Sequence, residues 1–203
     1  MKGLIIKDFI NLKKQAGIIT VMMVLYLIIS ITSKNGAAFG AMIFIMFALL
    51  PVSTMSYDER ASWDKYALTM PVSRVDMVLS KYILSLILSS IALILNFIAQ
   101  AAMGNEMNYE NITVIFAVFG ISMIYISLIL PIMFKFGVEK GRMLMMVVLM
   151  LPMIVVLLFS NIVKTALSEE MIKKALYAFP AAAVLLFLAS IFVSVKLYSK
   201  KEF

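Results

Sequence analysis

The sequence contains no cysteine and no histidine. The first absence rules out a disulfide framework and leaves the redox compartment unread. Together they remove zinc centres and the nucleophile-histidine triads of hydrolases. Charge is also scarce: 14% of the 203 residues are charged against 64% hydrophobic, and mean hydropathy is +1.05, where a soluble domain has about a quarter of its residues charged. A water-soluble fold of this length could not hide so much apolar surface in one core, so the excess faces lipid. The net charge of +7 does not point to nucleic acid. The basic residues lie at the edges of apolar runs rather than on one exposed face, the placement that lipid head groups and topology signals select.

A phosphate-cradling loop of the form G-x-x-x-x-G-K-S/T is missing as well. Phe136-Gly137-Val138-Glu139-Lys140-Gly141-Arg142 has glycine and lysine in the wrong order and spacing, so any ATP used is bound by another chain. Paired-aspartate proteolysis fails too: Asp58 sits at a helix end, but no second acidic residue lies in another apolar run, and one carboxylate cannot divide acid and base roles. No catalytic residue, metal ligand or cofactor site of the chain's own is expected.

What is present is six apolar runs long enough to span a bilayer, at Ala16 to Ser33, Ala37 to Tyr57, Tyr82 to Gly104, Ile112 to Phe134, Met143 to Val163 and Ala175 to Val195; a span needs about 20 residues. The expected fold is all-α, a single polytopic domain over residues 1–203. It comprises an interfacial lead (1–15), the first two spans (16–57), an elbow (58–81), two spans (82–134), an inner loop (135–142), two more spans (143–195) with an outer connection (161–174), and a tail (196–203). The first run lacks a signal-peptide cleavage pattern and reads as a retained helix. With the N-terminus inside, 14 of the 18 basic residues fall on inner segments and 4 on outer ones, which predicts both termini in the cytoplasm.

In the lead segment Ile5, Ile6, Phe9, Ile10 and Leu12 gather on one side of a helical wheel, and Lys7, Asp8, Asn11 and Lys14 on the other. It reads as an interfacial helix, or else as an unstructured basic lead that sets topology. The outer connection, with Ser168-Glu169-Glu170, reads as a short helix start or a solvated loop. In the third run Asn96 and Gln100 lie one turn apart and either line a path or bond to a neighbouring helix. In the fifth, Met143, Met146, Met150 and Met153 form one stripe. Such a stripe either adapts to varied apolar cargo, with Met146 and Met150 on its path, or packs against a subunit or lipid. Pro152 is expected to kink that span.

The longest polar stretch is YDERASWDKYALTMPVSRVDMVLSKY, from Tyr57 to Tyr82. It reads as two helices. Asp58 caps the first, Arg60 and Asp64 are spaced as an i,i+4 pair, and Trp63, Ala67 and Met70 share a face until Pro71 stops it. The second begins at Ser73, with Asp76 completing a capping box and Val72 and Met77 placed as a hydrophobic staple, and runs on into the third span. The physics of the stretch fits both an ordinary interfacial loop and a rigid corner for docking another protein.

The order of basic lead, two spans, elbow YDE..SWDKYALTMPVSR..MVLSKY and four further spans resembles the small ABC-2 type permeases of bacterial ABC exporters. The resemblance covers essentially the whole chain, and its specific part is the elbow. It implies a six-helix bundle in the bacterial cytoplasmic membrane, pairing as a homo- or heterodimer of permease subunits above two separate ATPase subunits that hold ATP and Mg. On that resemblance the elbow is a coupling helix. Asp58, Glu59, Trp63, Asp64, Lys65 and Tyr66 would form the ATPase contact and Pro71, Ser73 and Arg74 its corner, while the interfacial helix, with Lys7, Phe9 and Lys14, would make a second contact. The outer connection departs from larger members, whose outer re-entrant helices are longer. The expected function is export of amphipathic peptides or hydrophobic toxic compounds; a non-transporting membrane scaffold and a secondary carrier are the alternatives. The carrier reading is weakened because no ionisable group is expected near the centre of a span.

Overall fold

The computed structural model describes the backbone of residues 1–33, 36–104, 108–166 and 169–201, and their side chains except at 33, 37, 38, 110, 149 and 151–178. The described backbone is all-helical, in the order α1 (Lys2–Lys13), α2 (Ala16–Ser33), α3 (Gly36–Arg60), α4 (Trp63–Ala67), α5 (Arg74–Ala102), α6 (Tyr109–Ala166) and α7 (Glu169–Ser199). The α3 helix lies at the centre, packed on α5, α6 and α2, while α7 lies along α6. Two apolar clusters hold the bundle. One gathers Val52, Met55, Met77, Tyr82, Met133 and Tyr198 at the elbow end. The other packs Phe39, Ile43, Phe44 and Phe47 of α3 on Leu84, Leu88 and Ala92 of α5, with α2 against its rim. On α2, Ile18, Val21, Val24 and Ile28 are exposed, which is the outside of a protein dissolved in lipid.

Among the described residues four helices are long and apolar enough to cross a membrane, or five if α1 and α2, bent by 65° at their junction, count as one broken span. The protein is thus a multi-pass membrane protein. The fifth expected span falls largely on residues whose side chains lie outside the described set, as do Pro152 and Met153.

Several local expectations are corrected. The inner loop at 135–142 is absent: helix continues on both sides of a single non-helical residue, Gly137, at φ 79° and ψ 173°. The chain folds sharply back there. A Cβ placed on Gly141 would overlap the Met133 sulfur and stand 3.6 Å from its Cα, whereas eight residues of straight helix span about 12 Å. The outer connection is likewise taken into α6, which continues to Ala166, and α7, which begins at Glu169.

Asp58 caps nothing, because α3 runs through it to Arg60. The turn at Ala61 and Ser62, with Ser62 at φ 48°, separates Arg60 from Asp64, so the two do not share a helix. The start of α5 is as expected. The Ser73 hydroxyl accepts from the Asp76 N–H while the Asp76 carboxylate accepts from the Ser73 N–H, and Val72 packs on the cluster that buries Met77.

The lead segment is helical, but its inward face is Leu4, Asp8 and Leu12. Ile6, Phe9 and Ile10 are exposed. Asp8 thus lies on the buried side of α1, opposite to its place on the wheel.

Candidate functional site: the charged end of the bundle

The reason Asp8 turns inward is Lys81. The Lys81 ammonium donates to both Asp8 oxygens, at 2.8 and 2.9 Å, to Asp58 Oδ2 at 2.6 Å and to Thr54 Oγ1 at 3.2 Å. Lys7 pairs with the other Asp58 oxygen at 2.5 Å and stands 3.3 Å from Asp8. Lys7, Asp58, Lys81 and Asp8 therefore form a closed ring of alternating charge. Three of them are almost wholly enclosed, with Asp8 at 0%, Lys81 at 6% and Asp58 at 7% exposure. An isolated charge so placed would be very costly, and closure of the ring leaves none uncompensated. It also fastens α1 to α3 and α5.

Asp58 was expected to stand without a second carboxylate, yet α1 supplies one in Asp8. Both are held by ammonium groups, as in a structural ion-pair network.

The elbow rests on this ring. Lys7 Nζ lies 4.5 Å above the Trp63 ring, a cation–π contact. Trp63 packs in turn on the apolar cluster, where Ala67 is fully buried. Asp64 is half-buried beside the Tyr198 hydroxyl, and burial raises its carboxyl above the usual carboxylate range despite the opposing pull of Lys201 and the Tyr198 hydrogen bond. Glu59 reaches to the fold-back, where its carboxylate accepts from the Val138 N–H. A carboxylate there satisfies one of the free donors at the start of a helix. Arg74 caps the other end of the bundle's chain, donating to the carbonyls of Ser199 at 2.7 Å and Lys201 at 2.9 Å. A cavity of about 80 Å³ remains between ring and elbow, lined by Lys7, Asp58, Trp63, Asp64, Lys81 and Lys201 among others.

The structure thus divides the elbow residues singled out in the sequence. Asp58, Glu59, Trp63, Asp64 and Arg74 are engaged within the protein. Lys65, Tyr66, Pro71 and Ser73 are exposed, Tyr66 at 58%. On α1, Lys14 is exposed and Phe9 is 37% exposed.

Deeper in the bundle, Tyr82, Ser190, Ser194 and Ser127 bind α5, α7 and α6. Ser190 Oγ donates to the Ser127 carbonyl at 2.6 Å. Its oxygen must then accept from Tyr82, at 2.6 Å, and Tyr82 from Ser194, at 2.7 Å. Asn96 and Gln100 are both buried, and the Asn96 amide faces Gly40 of α3, where a Cβ would overlap it. Its Oδ1 accepts no hydrogen bond among the described residues. Met143, Met146 and Met150 face outward at 60% exposure or more. A separate apolar recess of about 530 Å³ lies between α3 and α6, lined by Phe44, Ile45, Val118, Ile121, Tyr125 and Leu128 among others.

The ring is what the sequence reading missed. Its members were taken as a cap (Asp58), a polar-face residue (Asp8) and topology charges (Lys7, Lys81). The one available signal was Leu4, Asp8 and Leu12 at successive steps of four, which places an acid in line with two leucines.

Neither a curated protein nor a solved structure matches the chain. The sequence profile of a family described as ABC-2 family transporter protein matches residues 3–199, nearly the whole chain. Membership implies association with ABC ATPase subunits, and family members are membrane subunits without catalytic activity of their own. An all-helical multi-pass chain whose charges collect around an elbow at one end of the bundle, matched along its length by that profile, belongs to the ABC-2 family of transporter proteins.

Proposed function

We propose that the chain is the transmembrane permease subunit of an ATP-driven exporter in the bacterial cytoplasmic membrane. In this reading it has six spans and both termini in the cytoplasm. Two such subunits pair, and a separate pair of ATPase subunits binds ATP and Mg below them. The cargo is an amphipathic peptide or hydrophobic toxic compound, in keeping with the apolar recess beside Tyr125 and the outward methionines of α6.

The observation that carries the reading is the way the elbow is held. One side of α4 is pinned by Trp63 and Ala67 to the core and by Lys7 from above, while Lys65 and Tyr66 project outward. A short helix fixed on one side can transmit a push only as far as its anchor is rigid, and this anchor is a closed charge ring and an apolar cluster. Coupling then divides between two sets of residues. Lys65, Tyr66, Pro71 and Ser73 meet the ATPase; Asp58, Glu59, Trp63, Asp64 and Arg74 hold the elbow so that it can be met.

The test is co-purification of ATPase subunits from the native membrane with elbow variants. Tyr66→Ala is expected to weaken capture at least about tenfold with unchanged thermal stability, since truncating an aromatic anchor at an interface costs about 2 kcal/mol or more. Trp63→Ala is expected to reduce both capture and stability. Full capture by both variants would reduce the elbow to an interfacial loop.

A further inference from the structure

At the junction of α1 and α2 with the end of α3 lies a second polar recess, separate from the charge ring. It has a volume of about 140 Å³ and is lined by Gln15, Ser53, Ser56, Tyr57, Arg60 and Arg142. Two arginines thus line one small space with no carboxylate on its walls. The Arg60 guanidinium makes no hydrogen bond or ion pair among the described residues, and that of Arg142 donates only to Ser56 Oγ, at 2.9 Å. Donors accumulate here in excess of acceptors. Ser56 Oγ accepts from Arg142, and Tyr57 Oη accepts from Gln15 Nε2 at 3.1 Å, so both hydroxyls keep their protons to donate elsewhere. An adjoining recess of about 180 Å³ shares Ser56, Arg60 and Arg142 but includes Glu59 and Glu139, which would repel an anion. The first recess is the one that suits it.

Forked guanidiniums with hydroxyl donors between them match the oxygens of a phosphate group. The position says which phosphate. Gln15 sits at the 65° corner between α1 and α2, and the helix beyond the corner exposes Ile18, Val21 and Met22, the dress of a helix against acyl chains. A phosphate in the recess would therefore stand at head-group height, with apolar surface running from it into the membrane. We infer that Arg60 and Arg142, with Ser56 and Tyr57, bind the phosphate of a phospholipid head group in the leaflet on the elbow's side of the membrane. The lipid wedges between the α1–α2 corner and the end of α3. It is a site beside the elbow, distinct from the ATPase contact and from any cargo path.

The experiment uses the full chain, delipidated in detergent and incubated with phosphatidylglycerol, with diacylglycerol carrying the same chains, or with inorganic phosphate. Retained lipid is measured by mass spectrometry of the intact protein. The wild type is expected to retain phosphatidylglycerol and not diacylglycerol, and inorganic phosphate should not displace the lipid. Arg60→Gln is expected to lower retention about tenfold, the worth of one charge-assisted hydrogen bond. Because the Arg60 guanidinium holds no partner among the described residues, this variant should unfold as the wild type does. Arg142→Gln should act similarly, and Arg60→Lys should restore part of the retention. Equal retention by wild type and Arg60→Gln, or equal retention of diacylglycerol, would overturn the site. Displacement of the lipid by millimolar phosphate would overturn the lipid as its source and assign the recess to a soluble phosphate.

Discussion

Asp58 and Arg60 stand two residues apart at the end of α3, and the bundle uses them in opposite ways. Asp58 turns toward α5 and α1 and is enclosed in the ring with Lys81, Asp8 and Lys7. Arg60 turns toward the α1–α2 corner and remains exposed, and its guanidinium has no partner among the described residues. The difference lies in what surrounds each direction. Toward α5 the space is apolar and closed, so a charge survives only if its opposite is built in. Toward the corner it is open, so a charge can wait for a ligand. Charges of the first kind fix the fold, and charges of the second kind are available for binding.

The sharpest way to break this contrast is to remove one member of the ring. Lys81→Met would leave Asp8 and Asp58 facing each other without the shared ammonium, and is expected to cost about 3–5 kcal/mol in chemical unfolding in detergent. Replacing Asp8 by Leu in the same chain leaves the neutral pair of Lys7 and Asp58, and should recover much of the loss. Strictly additive losses would mean that the ring does not act as a unit.

A smaller cost is expected at the fold-back. Gly137 occupies a backbone region that glycine alone adopts readily, and a Cβ there would approach Glu59 Oε1 to 2.9 Å. Gly137→Ala should therefore cost about 1–3 kcal/mol, whereas Gly3→Ala, where a Cβ meets nothing, should leave unfolding unchanged. Smaller again is Ser73→Ala, which deletes the cap on α5 and is expected to cost about 1 kcal/mol. The change should show as a lowered midpoint with ATPase capture altered less than by Tyr66→Ala.

The smallest stability effect belongs to the exposed methionines. Met146→Leu with Met150→Leu preserves volume and apolarity and should change stability by less than about 0.5 kcal/mol. If the stripe meets cargo, the pair should still shift the range of compounds exported; unchanged transport across several cargoes would assign it to lipid or subunit packing.

The contrast also explains what could be read in advance. The start of α3, the extent of α5 and the Ser73 cap are written in local signals, namely apolar run length, a capping residue and a staple. The ring is not, because its members come from residues 7, 8, 58 and 81 and their pairing depends on where α1 docks. Asp58 looked like a cap because it follows an apolar run, but a buried partner made it better to continue the helix. The inner loop at 135–142 was expected from its three basic residues, Lys135, Lys140 and Arg142. One glycine with a positive φ does the work of a loop there, and length counting does not detect that.

The hydroxyl chain through Tyr82 has a polarity of its own. Ser194 donates to Tyr82, Tyr82 to Ser190, and Ser190 to the backbone carbonyl of Ser127. A proton entering at the α7 end would find every hydroxyl oriented to hand it on, but the last acceptor is a peptide oxygen with no proton to release in turn. The chain is a dead-ended wire. It can latch α5, α6 and α7 together and must be unmade link by link if α7 rotates, but it cannot relay protons across the bundle.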